Sequence, residues 1–219
     1  MFNFFSVSVS ASNSLTKTVF GKTIAGVVLS ALCLTAFAEG NPAKGETLTT
    51  TCVACHGNDG NSAAGAFPSI AGQQEKYLLK QLRDIKSGDR AAVLMTGILD
   101  NMTDQDLMDL AAYYADQKIK GGAAKPELAE LGETIFLAGI KRKGVAACTA
   151  CHLPNGAGNN AAVFPALAGQ WPEYTETQLK LFRSGERNND GDGKLMRTVA
   201  MDLSDDEIEA VASYLYGLK

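Results

Sequence analysis

The chain has 219 residues, with 20 Lys and Arg against 24 Asp and Glu and a formal net charge of −4. That mild acidity excludes a nucleic-acid surface, which requires clustered Lys and Arg. Hydrophobic residues make up 46%, enough for globular cores, yet beyond residue 38 no stretch approaches the ~20 apolar residues of a membrane span.

Residues 1–38 read as a cleaved secretory signal peptide. Lys17 and Lys22 supply positive charge, Thr23–Ala36 is apolar or small throughout, and Ala36-Phe37-Ala38 matches the small-x-small cleavage rule. The mature chain then begins at Glu39 with a formal charge of −6, and the expected location is the periplasm. Cys33 lies between Leu32 and Leu34 and is a filler of the apolar signal core, not a lipidation site.

The mature sequence reads all-α and occurs twice. A leading helix is predicted near Ala43–Thr51, followed by CVACH at Cys52–His56. A Phe-Pro-x-x-Ala-Gly-Gln segment at 67–73 leads into a helix near Gln74–Lys86, and Leu94-Met95 follows. Thr103 caps a last helix whose Leu107, Leu110, Ala111 and Tyr114 form a core stripe at i, i+3, i+4, i+7. The Gly-rich, Lys-containing 118–126 is the predicted linker between domains at 39–117 and 127–219. The second copy runs through a longer helix near Pro126–Lys143, CTACH at Cys148–His152, a second Phe-Pro-x-x-Ala-Gly-Gln at 164–170 and a helix near Pro172–Arg183. It continues through a polar insertion, Asn188–Gly193, to Leu195-Met196 and a final helix capped by Ser204, with Glu207 completing a capping box. Lys141-Arg142-Lys143 are expected to cap the C-terminal end of the helix before Cys148, where positive charge is favourable.

Cys-x-x-Cys-His is the attachment signature of a c-type haem, in which the two thiols add to porphyrin vinyl groups and the His lies under the iron. The residue inventory supports this: both His and four of the five Cys of the chain lie in the two motifs. A four-cysteine zinc site would leave His56 and His152 unexplained, and a thioredoxin-type pair belongs on a βαβ pattern that is absent. Two covalent haem c groups are therefore expected, on Cys52 and Cys55 and on Cys148 and Cys151. Domains of about 90 residues have marginal cores, so each haem is expected to complete its own.

With both His used as proximal ligands, Met is the next axial candidate. Aligning Leu94-Met95 with Leu195-Met196 also brings Thr103 and Ser204 into register, and only Met95 and Met196 are Met in both copies. Met102, Met108 and Met201 are then adaptable core filler. A proximal imidazole needs an acceptor for its remaining N–H. Pro68 and Pro165, 12 and 13 residues after their histidines, offer carbonyls for it, although the same segments also read as tight turns. Tyr77, Gln81, Arg90 and their partners Tyr174, Gln178, Arg187 are open to two readings, propionate contacts or packing.

On these residues the chain resembles cytochrome c4, a family of periplasmic dihaem cytochromes built from two class I cytochrome c domains. The motifs carrying the likeness are the two CxxCH sequences, the duplicated FPxxAGQ segment with its following Tyr and Gln-Leu, and the matched Met in each half. The resemblance implies His/Met ligation at both irons and domains that face each other with haem propionates near the interface. It also implies electron transfer from a quinol-oxidising cytochrome bc complex towards a terminal oxidase or other reductase. Partners would be redox proteins, met directly or by peripheral association with membrane complexes, with no small-molecule substrate. Two other readings stand beside the carrier. One is the dihaem subunit of a dehydrogenase, such as flavocytochrome c sulfide dehydrogenase. The other is a peroxidase-type dihaem enzyme, which needs an open or unusually ligated iron that this ligand supply does not provide.

Overall fold

The computed structural model describes residues 39–219; the signal segment and Cys33 lie outside the described residues. The first domain contains α1 (Pro42–Thr47), α2 (Val53–His56), α3 (Glu75–Ser87) and α4 (Asp104–Ala115). The second contains α5 (Pro126–Ala138), α6 (Thr149–His152), α7 (Pro172–Ser184), α8 (Leu195–Ala200) and α9 (Asp205–Gly217). Among the described residues the only extended pairings are two isolated bridges, Ile140 with Val145 and Asn159 with Phe164.

Each domain is built on a crossing of its first and last helices. At the α1–α4 crossing a Cβ on Gly45 would strike the Asp109 carbonyl oxygen. At the α5–α9 crossing one on Gly132 would strike the Ala210 carbonyl, so glycine permits the same close approach twice. The last helices start on capping boxes, Thr103 with Asp106 and Ser204 with Glu207. Each box satisfies two N–H groups that the first turn leaves without partners. Leu110, Ala111 and Tyr114 join Leu78 in one core, with Cys52 packed against it. Ile208, Val211 and Leu215 join Ile135, Phe136, Val145 and Leu203 in the other, with Cys148 against it. The first cysteine of each motif thus sits at the edge of an apolar core.

Three sequence expectations require correction. The helix before Cys148 stops at Ala138, because Gly139 takes φ 69° and the chain folds back through the Ile140–Val145 bridge. Lys141–Lys143 consequently form a separate 3-10 turn and do not cap α5. They pin the start of α9 instead: Lys143 Nζ donates to Glu207 Oε2 at 2.7 Å and to the Asp202 carbonyl at 3.0 Å. Arg142 adds a longer contact of 3.4 Å to Glu207 Oε1. Finally, Met201 is 58% exposed and is not core filler, whereas Met102 does pack against the first core.

The stretch from 118 to 125 is irregular and held at both ends. Asn61 receives the Lys120 N–H at 2.7 Å and donates to the Lys118 carbonyl at 2.9 Å. Ser213 Oγ receives the Lys125 N–H at 2.8 Å.

Candidate functional site

Each Cys-x-x-Cys-His motif ends in a single short helical turn, α2 or α6, preceded by its first cysteine. The turn brings both sulfurs and the following imidazole to one end of the domain. His56 and His152 are buried, 8% and 5% exposed. Nδ1 of His56 lies 2.8 Å from the Pro68 carbonyl oxygen, and Nδ1 of His152 lies 2.9 Å from that of Pro165. A carbonyl has no proton to give, so Nδ1 carries the hydrogen and Nε2 keeps its lone pair for a metal. Burial lowers both imidazole pKa values, partly opposed by the carbonyl bonds, which favours the neutral, ligating form.

The four thiols form no disulfide. Burial pushes the Cys148 thiol up to about 11, an environment hostile to a thiolate but suited to an uncharged thioether. Among the described residues no three His, Cys, Asp or Glu converge on a metal position. Tyr114, 3% exposed, packs with Cys52 in the first core. Its Oη is the one buried side-chain polar atom without a hydrogen-bond partner among the described residues. The second domain carries Leu215 at the matching position.

Met95 lies in the 3-10 turn Val93–Met95 and Met196 in the first turn of α8, and both are half-buried. Between the domains, α3 and α7 exchange a reciprocal set of hydrogen bonds. Arg90 Nη2 donates to Tyr174 Oη at 2.9 Å and to Gln178 Oε1 at 3.1 Å. Arg187 Nη2 donates to Tyr77 Oη at 2.9 Å and to Gln81 Oε1 at 3.1 Å. Every acceptor these four bonds reach is neutral. Burial raises the Tyr77 pKa, yet Arg187 and Arg90 outweigh it and leave the phenol below its ordinary value. The two guanidiniums thus make the interface between the domains electropositive. The residues present therefore fit two haem c groups on two grounds: paired cysteines left free of disulfides, and buried histidines with a free Nε2.

The polar insertion has a structural task. Asn189 Nδ2 donates to Gln81 Oε1 at 2.9 Å and to Asp84 Oδ2 at 2.6 Å, and its carbonyl accepts from Lys80 Nζ at 2.8 Å. The insertion is thus a strap laid across α3 of the first domain.

Sequence reasoning assigned no role to two residues that prove central to the interface. Gln73 Oε1 accepts the Ala166 N–H at 2.7 Å while its Nε2 donates to the Ala166 carbonyl at 2.9 Å. Gln170 does the same to Ser69, at 2.9 and 2.7 Å. The signal was present in the duplication of Ala-Gly-Gln, but nothing in it names a backbone partner about 100 positions away.

A cytochrome c family model matches residues 42–118 and 129–219. The cytochrome c4 of Azotobacter vinelandii is 50% identical over 192 residues, 84% of this chain and 91% of that protein. A thiosulfate dehydrogenase electron acceptor from Thiomonas intermedia is 40% identical over 176 residues, covering 75% of this chain and 77% of that protein. The crystal structure of reduced recombinant cytochrome c4 from Pseudomonas stutzeri superposes with a TM-score of 0.81 at 50% identity, covering 82% of this chain and 100% of that chain.

Proposed function

The chain belongs to the cytochrome c4 family, carries two haem c groups and is an electron carrier; from that premise we propose the ligands, location and partners that follow. Cys52 and Cys55 hold one haem and Cys148 and Cys151 the other. His56 with Met95, and His152 with Met196, would ligate the two irons. The observation that carries this reading is the repeated buried histidine, each donating Nδ1–H to a proline carbonyl and each preceded by two cysteines in one helical turn.

When bound, each haem supplies one reversible electron at its iron. The chain's own residues do the rest. The proline carbonyls hold the imidazole planes and fix their tautomer. The apolar cores beside Cys52 and Cys148 exclude water from one side of each site. Arg90 and Arg187, which follow α3 and α7, would offset the charge of the propionates. A thioether ligand favours the reduced state and raises the potential, which suits a carrier accepting from a quinol-oxidising complex. With both irons ligated in this way no open position would remain for substrate chemistry, which supports a carrier over an enzyme.

The domains extend over 39–117 and 127–219. Export follows from residues 1–38, cleaved after Ala38, and places the protein in the periplasm. No helix among the described residues is long and apolar enough to cross a membrane. Electrons pass from a cytochrome bc complex to a terminal oxidase or other reductase. A second reading, acceptor of electrons from a thiosulfate-oxidising dehydrogenase, is favoured by the Thiomonas relative of that name.

The test is the visible spectrum of the oxidised protein purified from periplasm, with haem counted per chain. Two haems, both showing the far-red charge-transfer band of a Met–iron bond and neither reacting with peroxide, is the expected result. A high-spin fraction lacking that band at one haem would overturn the ligand assignment there. Reduction rates with a quinol-oxidising complex and with a thiosulfate-oxidising dehydrogenase separate the two donors.

A further inference from the structure

The two interdomain glutamines are attached to the histidine supports themselves. The carbonyl of Pro68 and the N–H of Ser69 belong to one peptide group. His56 Nδ1 donates to its oxygen at 2.8 Å, and its nitrogen donates to Gln170 Oε1 at 2.9 Å. The mirror arrangement holds in the other domain. The Pro165–Ala166 peptide accepts from His152 at 2.9 Å and donates to Gln73 Oε1 at 2.7 Å. The first of these connections is dry, with Ser69 4% and Gln170 9% exposed.

We propose that each glutamine is a positioning residue for the other domain's haem: Gln170 tunes the basicity of His56, and Gln73 that of His152. An amide whose N–H is engaged becomes a stronger acceptor at its oxygen, by roughly 10–30% per bond in a chain. The stronger acceptor draws the Nδ1 proton, makes the imidazole a better donor to iron and favours the oxidised state. The inference rests on His56 and His152 being the proximal ligands. It differs from a simple interface clamp because its effect is crossed: a change in one domain is felt at the iron of the other.

The experiment uses the full-length dihaem protein with the Nδ1–H resonances of both histidines assigned by NMR in the reduced form. Two haems per chain and two ring-current-shifted imidazole N–H signals in the unaltered protein test the ligation reading alone; missing signals would defeat that reading before any variant is made. Gln170→Met should then move the His56 signal, leave that of His152 in place and raise the potential of the first haem. Gln73→Met should do the reverse. Gln170→Glu keeps an oxygen acceptor, so it should keep the first haem from rising. Trp171→Phe deletes a different interdomain bond, Nε1 to the Ser62 carbonyl at 3.0 Å, and should leave both signals unmoved. Glutamine variants that move the histidine of their own domain, both histidines equally or neither would overturn the proposal.

Discussion

The two domains repeat the Cys-x-x-Cys-His motif, the Pro carbonyl and the matched Met, and surround them differently. In the first, Met95 ends a three-residue 3-10 turn whose Val93 and Leu94 are 84% and 74% exposed. In the second, Met196 follows a strap and a left-handed Lys194, φ 48°, inside a helical turn. There Asp190 fixes the loop by accepting from Arg197 Nε at 2.7 Å and from its backbone N–H at 2.9 Å. What is repeated is two sulfurs, a carbonyl-supported imidazole and one thioether. The segments that face solvent or the other domain are where the copies diverge. The proposed ligand set is therefore common to both halves, while the surrounding charges and exposed surface are individual to each.

The comparison can be broken most severely at the sulfurs. Replacing Cys52 and Cys55 together with Ser should drop the haem count from two to one and remove the helical circular dichroism of the first domain, since haem binding and core formation coincide there. Retention of full helicity would show that this domain folds without its haem. Next in size, Met95→Ala and Met196→Ala should each convert one haem to high spin and lower its potential, with the other unaffected. Met102→Ala, whose side chain packs against the core, should change neither spectrum. If Met102→Ala produced the high-spin signal instead, the alignment of the two copies would be wrong.

A third test sharpens the difference between the capping boxes. Burial raises the Glu207 pKa, but Lys143 and the Ser204 hydroxyl and backbone outweigh it, so the folded value lies below the ordinary 4.5. A depressed carboxyl contributes stability that is full above its unfolded pKa and is lost as pH falls through the folded one. Glu207→Gln should cost about 1.5–3 kcal/mol at neutral pH, the range for a hydrogen bond to a charged group. That penalty should vanish in acid below the folded pKa. Asp106, its counterpart, has only Thr103 as partner within the box, so Asp106→Asn should cost visibly less by thermal unfolding. Equal losses would mean that Lys143 adds nothing. The smallest effect is expected at Tyr114. Removing its unpartnered hydroxyl as Phe should leave Tm unchanged or raise it, because an unpaired buried polar group costs about 1–3 kcal/mol. A clear fall in Tm would mean that the hydroxyl finds a partner in the haem-bound protein.

Much of this was legible in residue order. Cys-x-x-Cys-His names its cofactor by local spacing, and the duplication nominates Met95 and Met196 as the proposed ligands among five mature methionines. The capping boxes and core stripes are likewise local and appear where the periodicity puts them. The misread parts depend on distant partners. Lys141–Lys143 look like a helix cap until Gly139 turns the chain and brings Lys143 to Glu207, 64 positions on. The insertion shows only its polarity until Asn189 meets Gln81 and Asp84. Side-chain bonds to a remote backbone leave no period or spacing to read, and so Gln73 and Gln170 carried no signal beyond being repeated.

The reciprocal bonds between α3 and α7, and between each Gln and the opposite Pro-x peptide, have the form of an isologous contact: what residue i of one half gives to j of the other, the matching j gives back. The molecule is in effect a twofold homodimer whose protomers have been joined and allowed to drift apart in sequence. Its connecting segment then supplies by tether what a separate subunit would have to supply by concentration. A half-chain made alone would expose Ser69 or Ala166 and its own unmatched glutamine, and its natural escape is to pair with a second copy of itself.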